Sequence, residues 1–127
     1  MISDDWLYGF ICGEGCFTFG GGNRISPIFT ITLKDVDLDL LTLIREKIKV
    51  GRITKHIEHK SCSLQVSSND CYKLIEIFNE KLIGKKEKDF NKWKEGIKYW
   101  ESINRKGSEE AKEKMEKFKP TSNYIIN

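Results

Sequence analysis

Glu14 is the residue of this 127-residue chain placed most unusually for chemistry. It closes a run in which Trp6, Leu7, Phe10 and Ile11 recur at threes and fours, the spacing of a helix with one apolar face. A carboxylate at a helix C-terminus meets the negative end of the macrodipole, where it is disfavoured. Gly9 and Gly13 lie in the same helix, four residues apart and therefore on one face. Each costs about 1 kcal/mol relative to alanine in a helix interior. Two glycines on one face remove side-chain bulk and let a second helix come backbone-close. A metal ion at the helix end would neutralise both the carboxylate and the free carbonyls there. Singly, each feature has an ordinary explanation, a packing accident or a solvated acid. Together, three breaks of local rules in one short helix read as a functional site.

Other chemistries are poorly supported. The four cysteines, Cys12, Cys16, Cys62 and Cys71, are too few and too irregular for a disulfide scaffold. Zinc bound by Cys12, Cys16, His56, His59 and Cys62 lacks a Cys-x2-Cys partner for its Cys-x3-Cys spacing. The net charge of +3 is weak evidence for nucleic acid by itself. No run is apolar and long enough to span a bilayer, so no membrane partner is expected. Met1 to Asp5 carries two acids and no basic region, which predicts no secretory signal. A reducing interior, the cytosol, nucleus or an organelle matrix, is the expected location.

The elements that must position Glu14 follow from patterning. Ser3 can cap the first helix, with Asp4 and Asp5 in its first turn, and Gly15 ends it. Cys16 to Phe19 alternates, meets the turn signal Gly20 to Asn23, and alternation resumes from Pro27 to Lys34, which predicts a hairpin. Phe29, Ile31 and Leu33 fall on one face; Ile28, Thr30 and Thr32 fall on the other. Asp35 or Asp37 can cap a second helix bearing Leu40, Leu41, Ile44 and Ile48, broken by Gly51. A second hairpin spans Arg52 to His59 and Ser61 to Ser67, with Ile53, Ile57, Leu64 and Val66 inward. Ser68 then caps a helix bearing Cys71, Leu74, Ile75 and Phe78. Phe90, Trp93, Ile97 and Trp100 mark a further helix. Gly107 breaks it, and Ser108 caps a last one with Ala111, Met115 and Phe118 inward. The order is α+β with two antiparallel hairpins. Residues 1–119 read as one domain and 120–127 as a tail.

Leu7-Tyr8-Gly9-Phe10-Ile11-Cys12-Gly13-Glu14-Gly15 resembles the LAGLIDADG motif, continued by Cys16-Phe17. Phe29-Thr30-Ile31, Leu40-Leu41, Val50-Gly51, Gly84-Lys85-Lys86 and Asp89-Phe90 extend the resemblance over about residues 6 to 100. The resemblance is to the single-motif, homodimeric type of LAGLIDADG homing endonuclease. It implies the αββαββα fold, a curved antiparallel four-stranded sheet packed on helices, here with extra C-terminal helices. It implies a site-specific double-stranded DNA endonuclease, intron-encoded, working with Mg2+ or another divalent cation. Glu14 and the Gly13 carbonyl would then hold the metal, and Lys85 or Lys86 would lie near the scissile phosphate. The alternative for Lys85–Lys88 is a solvated basic turn. Two motif helices would pack through Trp6, Gly9, Phe10 and Gly13.

The sheet's leftover polar face would lie in the DNA major groove. It offers Thr18, Thr30, Thr32 and Lys34 from the first hairpin, with Asn23 and Arg24 at its tip. It offers Arg52, Thr54, His56, Ser63 and Gln65 from the second. These residue types can hydrogen-bond base edges, though alternation alone fits a solvent-facing sheet equally. Cys12 stands where the motif usually has an acid, and Leu33 where many relatives carry a polar residue that orders active-site water. A catalytically impaired relative, serving as an RNA-splicing maturase on intron RNA or as a DNA-binding protein, is the alternative. The resemblance implies an intracellular protein of an organelle (mitochondrion or chloroplast) or of phage or bacterial cytoplasm.

Overall fold

The computed structural model describes residues 1–22, 24–105 and 108–120. Asn23, Gly107 and the tail residues 121–127, which carry sequence expectations, lie outside the described residues. Helix α1 runs Asp4–Glu14, and Ser3 caps it by accepting a hydrogen bond from the Trp6 N–H at 3.1 Å. Strands β1 (Cys16–Gly20) and β2 (Ser26–Lys34) form the first hairpin, and α2 spans Leu38–Ile48. Strands β3 (Arg52–His56) and β4 (Ser61–Ser67) form the second hairpin, followed by α3 (Cys71–Phe78). Helices α4 (Gly84–Ser102) and α5 (Glu109–Met115) complete the αββαββα order with its C-terminal additions. Ser108 caps α5 by accepting from the Ala111 N–H.

The four strands form one antiparallel sheet in the order β1-β2-β4-β3. Period-two alternation separates its faces. Phe17, Phe29 and Val66 stand in one register row, and Ile31, Leu64 and Ile53 in another, all turned toward the helices. Leu41, Ile44 and Ile48 of α2 and Cys71, Leu74 and Phe78 of α3 are buried against them. The centre is aromatic: the Phe17 ring lies 5.1 Å from Phe90 and 5.0 Å from Trp93. The Trp93 indole donates to the Thr18 carbonyl at 2.9 Å, so α4 is fixed to β1 by a polar handle as well as by burial. Among the described residues no helix is long and apolar enough to cross a membrane.

Three local expectations need correction. Ile57 is 85% exposed, because β3 stops at His56 and Ile57–His59 turns as a short 3-10 segment. Ser68 does not cap α3: it adopts φ 54° and opens a 3-10 turn that ends at Asp70. Neither Asp35 nor Asp37 gives a side-chain cap to α2; both lie in a 3-10 turn leading into it. That helix is closed by Lys49 at φ 66°, two residues before Gly51.

Candidate active site

Helix α1 presents two contrasting faces. Leu7 and Ile11 are buried in the core, whereas Gly9, Gly13 and Glu14 are exposed. A Cβ added at Gly9 or Gly13 would meet no atom within 4 Å. Gly15 differs: its Cβ would come within 2.9 Å of the Ile11 side chain and 3.0 Å of the Phe29 ring. The fold of one chain therefore requires Gly15 and leaves Gly9 and Gly13 unexplained. Trp6, 39% exposed, stacks on Phe10 with ring centroids 4.9 Å apart, which adds an aromatic step to the same bare face.

The far end of this face meets α4. Lys86 donates its ammonium to the Gly15 carbonyl, and the Cys12 thiol donates to the Ile83 carbonyl at 3.7 Å. Residues 71 apart in sequence are thus joined at the helix end. The Gly15 N–H closes the α1 ladder on the Ile11 carbonyl, so the carbonyls that follow, Gly13 among them, have no partner inside the helix. Among the described residues no ion pair or hydrogen bond engages the Glu14 carboxylate.

The two expected lysines diverge. Consecutive helical residues point about 100° apart, and Lys85 pairs instead with Asp89 at 2.8 Å. Asp89 is the one buried charged residue among those described, at 3% exposure. Sequence reasoning gave it no role. The signal was present in the four-residue spacing of Lys85 and Asp89, with the acid directly before the buried Phe90.

The polar sheet face assembles in register rows. Cys16, two residues past the end of α1, stands side by side with Thr30, Gln65 and Arg52 across all four strands. Thr32, Ser63 and Thr54 form the next row, and Lys34, Ser61 and His56 the one beyond. Thr18 lies on the other side of the first row, beside Ile28, an apolar intruder on this face. His56 Nε2 and Ser63 Oγ are 2.9 Å apart and hydrogen-bonded. Arg24 is exposed at the first hairpin's turn. A concavity of about 590 Å³ covers the β3–β4 half of the face. Leu33 faces the other way, half-buried against the core and opposite Cys62.

The cysteines and histidines do not converge. Cys62 donates to the Lys34 carbonyl and Cys71 to the Pro27 and Val66 carbonyls. Burial, with a smaller push from Asp70, raises the Cys71 thiol to about 12. Among the described residues no three His, Cys, Asp or Glu side chains gather where an ion could sit. A cation at Glu14 would draw its other ligands from backbone carbonyls, water or substrate. That donor set is all oxygen and suits Mg2+, which keeps several waters and binds through one or two carboxylates plus phosphates.

The family model for LAGLIDADG endonuclease matches residues 7–97. The crystal structure of the homing endonuclease I-TnaI superposes with a TM-score of 0.80 at 25% identity, covering 96% of this chain and 90% of that one. The homing endonuclease I-LtrWI, bound to target DNA, gives 0.81 at 28% identity over 97% of this chain and 45% of that one. The meganuclease I-AabMI, bound to uncleaved DNA, gives 0.73 at 29% identity over 81% and 38%. The chain thus spans less than half the length of these two DNA-bound relatives and nearly all of I-TnaI.

Proposed function

Because the chain belongs to the LAGLIDADG endonuclease family, we propose that it cuts double-stranded DNA at specific sites, with divalent metal, as a homodimer. One observation carries the reading. Glu14 is an exposed carboxylate, without a partner among the described residues, at the end of a bare glycine face and two residues before Cys16, which stands in the sheet's first polar row. A solvated surface acid would need none of that company.

Each group then has a task. Glu14 and the Gly13 carbonyl would hold the metal, Mg2+ by the chemistry of the donors. Such an ion, when bound, activates water and stabilises the leaving oxygen in phosphodiester hydrolysis. Lys86, fixed on the Gly15 carbonyl, offsets the negative end of α1 and keeps a cation beside the reacting phosphate. Asp89 holds Lys85 at the start of α4, one residue away. Gln65 and Arg52 lie adjacent in one row and suit adenine and guanine edges respectively. Trp6, Gly9, Phe10 and Gly13 would meet their copies across a two-fold axis, bringing two Glu14 side chains together, one per strand. The half-length match to I-LtrWI supports this, since a second copy would supply the other half.

A second reading, DNA or RNA binding without cutting, draws on Leu33. It turns into the core and offers no polar group to the site. Glu14→Gln separates the two. In Mg2+, the unsubstituted protein is expected to nick a plasmid library carrying randomised sites. The variant should bind DNA equally and fail to nick. Cutting by E14Q at the original rate would sink the metal role; binding without cutting by the original chain would favour the second reading.

A further inference from the structure

We infer that the last turn of α2 and the head of β3 form a basic rim that grips the sugar-phosphate backbone of the duplex whose groove the sheet reads. This rests on the DNA-binding reading above. Arg45 lies in the last turn of α2 and Lys49 caps that helix, whose other face, Leu41, Ile44 and Ile48, is core. Both are exposed, and both line the same concavity as Arg52, Thr54 and Gln65. Three cations therefore border a hollow whose one acid, among the described residues, is Asp70.

The turn holds them there. Lys49 closes α2 in the left-handed conformation, its N–H bonded to the Arg45 carbonyl at 2.8 Å. Arg45 Nε donates to the Gly51 carbonyl at 3.2 Å, so its guanidinium lies along the turn into β3. Cations in a last helical turn also complement the macrodipole. Lys47 is in that turn too, but it pairs with Asp4 and lines a different hollow.

Geometry identifies what the rim would touch. Four strands about 4.8 Å apart span about 14 Å, and the major groove is about 12 Å wide. A sheet seated in that groove must bring its edge strands against the groove walls, which are the phosphate strands. Strand β3 is an edge that Arg52 opens, and Arg45 and Lys49 border the same hollow beside it. Contacts of this kind fix register and carry no sequence information, so they complement the base-reading rows.

The test is the salt dependence of binding to a mixed-sequence duplex without divalent metal, measured by fluorescence anisotropy on the full chain. Removing one cation from a phosphate lowers the slope of log K against log salt by about 0.9. K49Q should therefore flatten the slope by about 0.9 for each subunit engaged, and R45Q/K49Q by about twice that. R45K keeps the charge without the fork and should hold the original slope, which separates charge from turn geometry. K98Q, an exposed lysine on α4, is the control and should change nothing. An original slope in both K49Q and R45Q/K49Q overturns the rim, as does an equal flattening in K98Q. Binding by the unsubstituted chain that ignores salt, or no binding, overturns the DNA-binding reading and the rim with it.

Discussion

Substituting alanine for Gly9 and Gly13 together should have two effects of opposite sign. Within one chain neither new methyl meets an atom within 4 Å, so the fold meets no steric penalty. Each glycine costs up to about 1 kcal/mol relative to alanine in a helix, and less near the end, where Gly13 lies. The isolated subunit should therefore gain about 1–2 kcal/mol. For a domain of this size that raises the melting midpoint by roughly 4–8 °C. Association should move the other way. Two helices in backbone contact would have to accommodate four methyls across the pair, and overpacking of this kind costs about 1–3 kcal/mol. At about 1.4 kcal/mol per decade, the dimer dissociation constant should rise by roughly 5- to 150-fold. Urea unfolding at high dilution reads the first effect; sedimentation equilibrium over a concentration series reads the second. A destabilised dilute subunit would mean that the fold itself needs the glycines. A stabilised subunit with unchanged association would place the interface elsewhere.

Two further outcomes follow from buried groups. Lys85→Met leaves the Asp89 carboxylate buried without its ammonium and should cost about 1–3 kcal/mol in urea unfolding; K85M/D89L, which makes the pair apolar, should recover most of that stability. No recovery in the double variant would mean that Asp89 serves another partner. The Cys71 thiol, raised by burial from 9.0 to about 12, stays neutral in the fold where the unfolded chain ionises. Stability from this site is intact below pH 9.0 and falls as pH rises toward 12, and C71A should show a shallower decline over that window. An identical decline in C71A would remove the thiol as its cause.

The parts of this fold that were legible in sequence are the ones set by local patterning. Ser3, the apolar stripe of α1 and Gly15 mark a helix by capping and periodicity within fifteen residues. Strand alternation separated Phe29 and Ile31 from Thr30 and Thr32 before any register was known. Ile57 failed because alternation persists in sequence past the point where the chain leaves the sheet. Ser68 failed because a cap residue and a turn residue look alike until φ is known. The Lys86–Gly15 and Cys12–Ile83 contacts join distant segments, which periodicity cannot report. Arg45 and Lys49 were hidden for a different reason. On a helix that reads as core-facing, cations pass for its solvated side, and only the fold reveals that this side borders the sheet's hollow.

The partnering at the end of α1 bears on why an acid is kept there. A helix C-terminus carries roughly half a negative charge, and Glu14 adds a full one. A merely structural helix end would relieve both most simply by an ion pair between Glu14 and the lysine delivered by α4. Lys86 instead takes the Gly15 carbonyl, and the carboxylate stays exposed. The dipole is thereby offset without occupying the carboxylate oxygens. The leftover negative charge sits where the bare glycine face would bring a second copy of it. Two such carboxylates repel, which weakens association through this face until cations neutralise them. With Lys86 on the Gly15 carbonyl, the carboxylate oxygens stay open to the divalent cation proposed above.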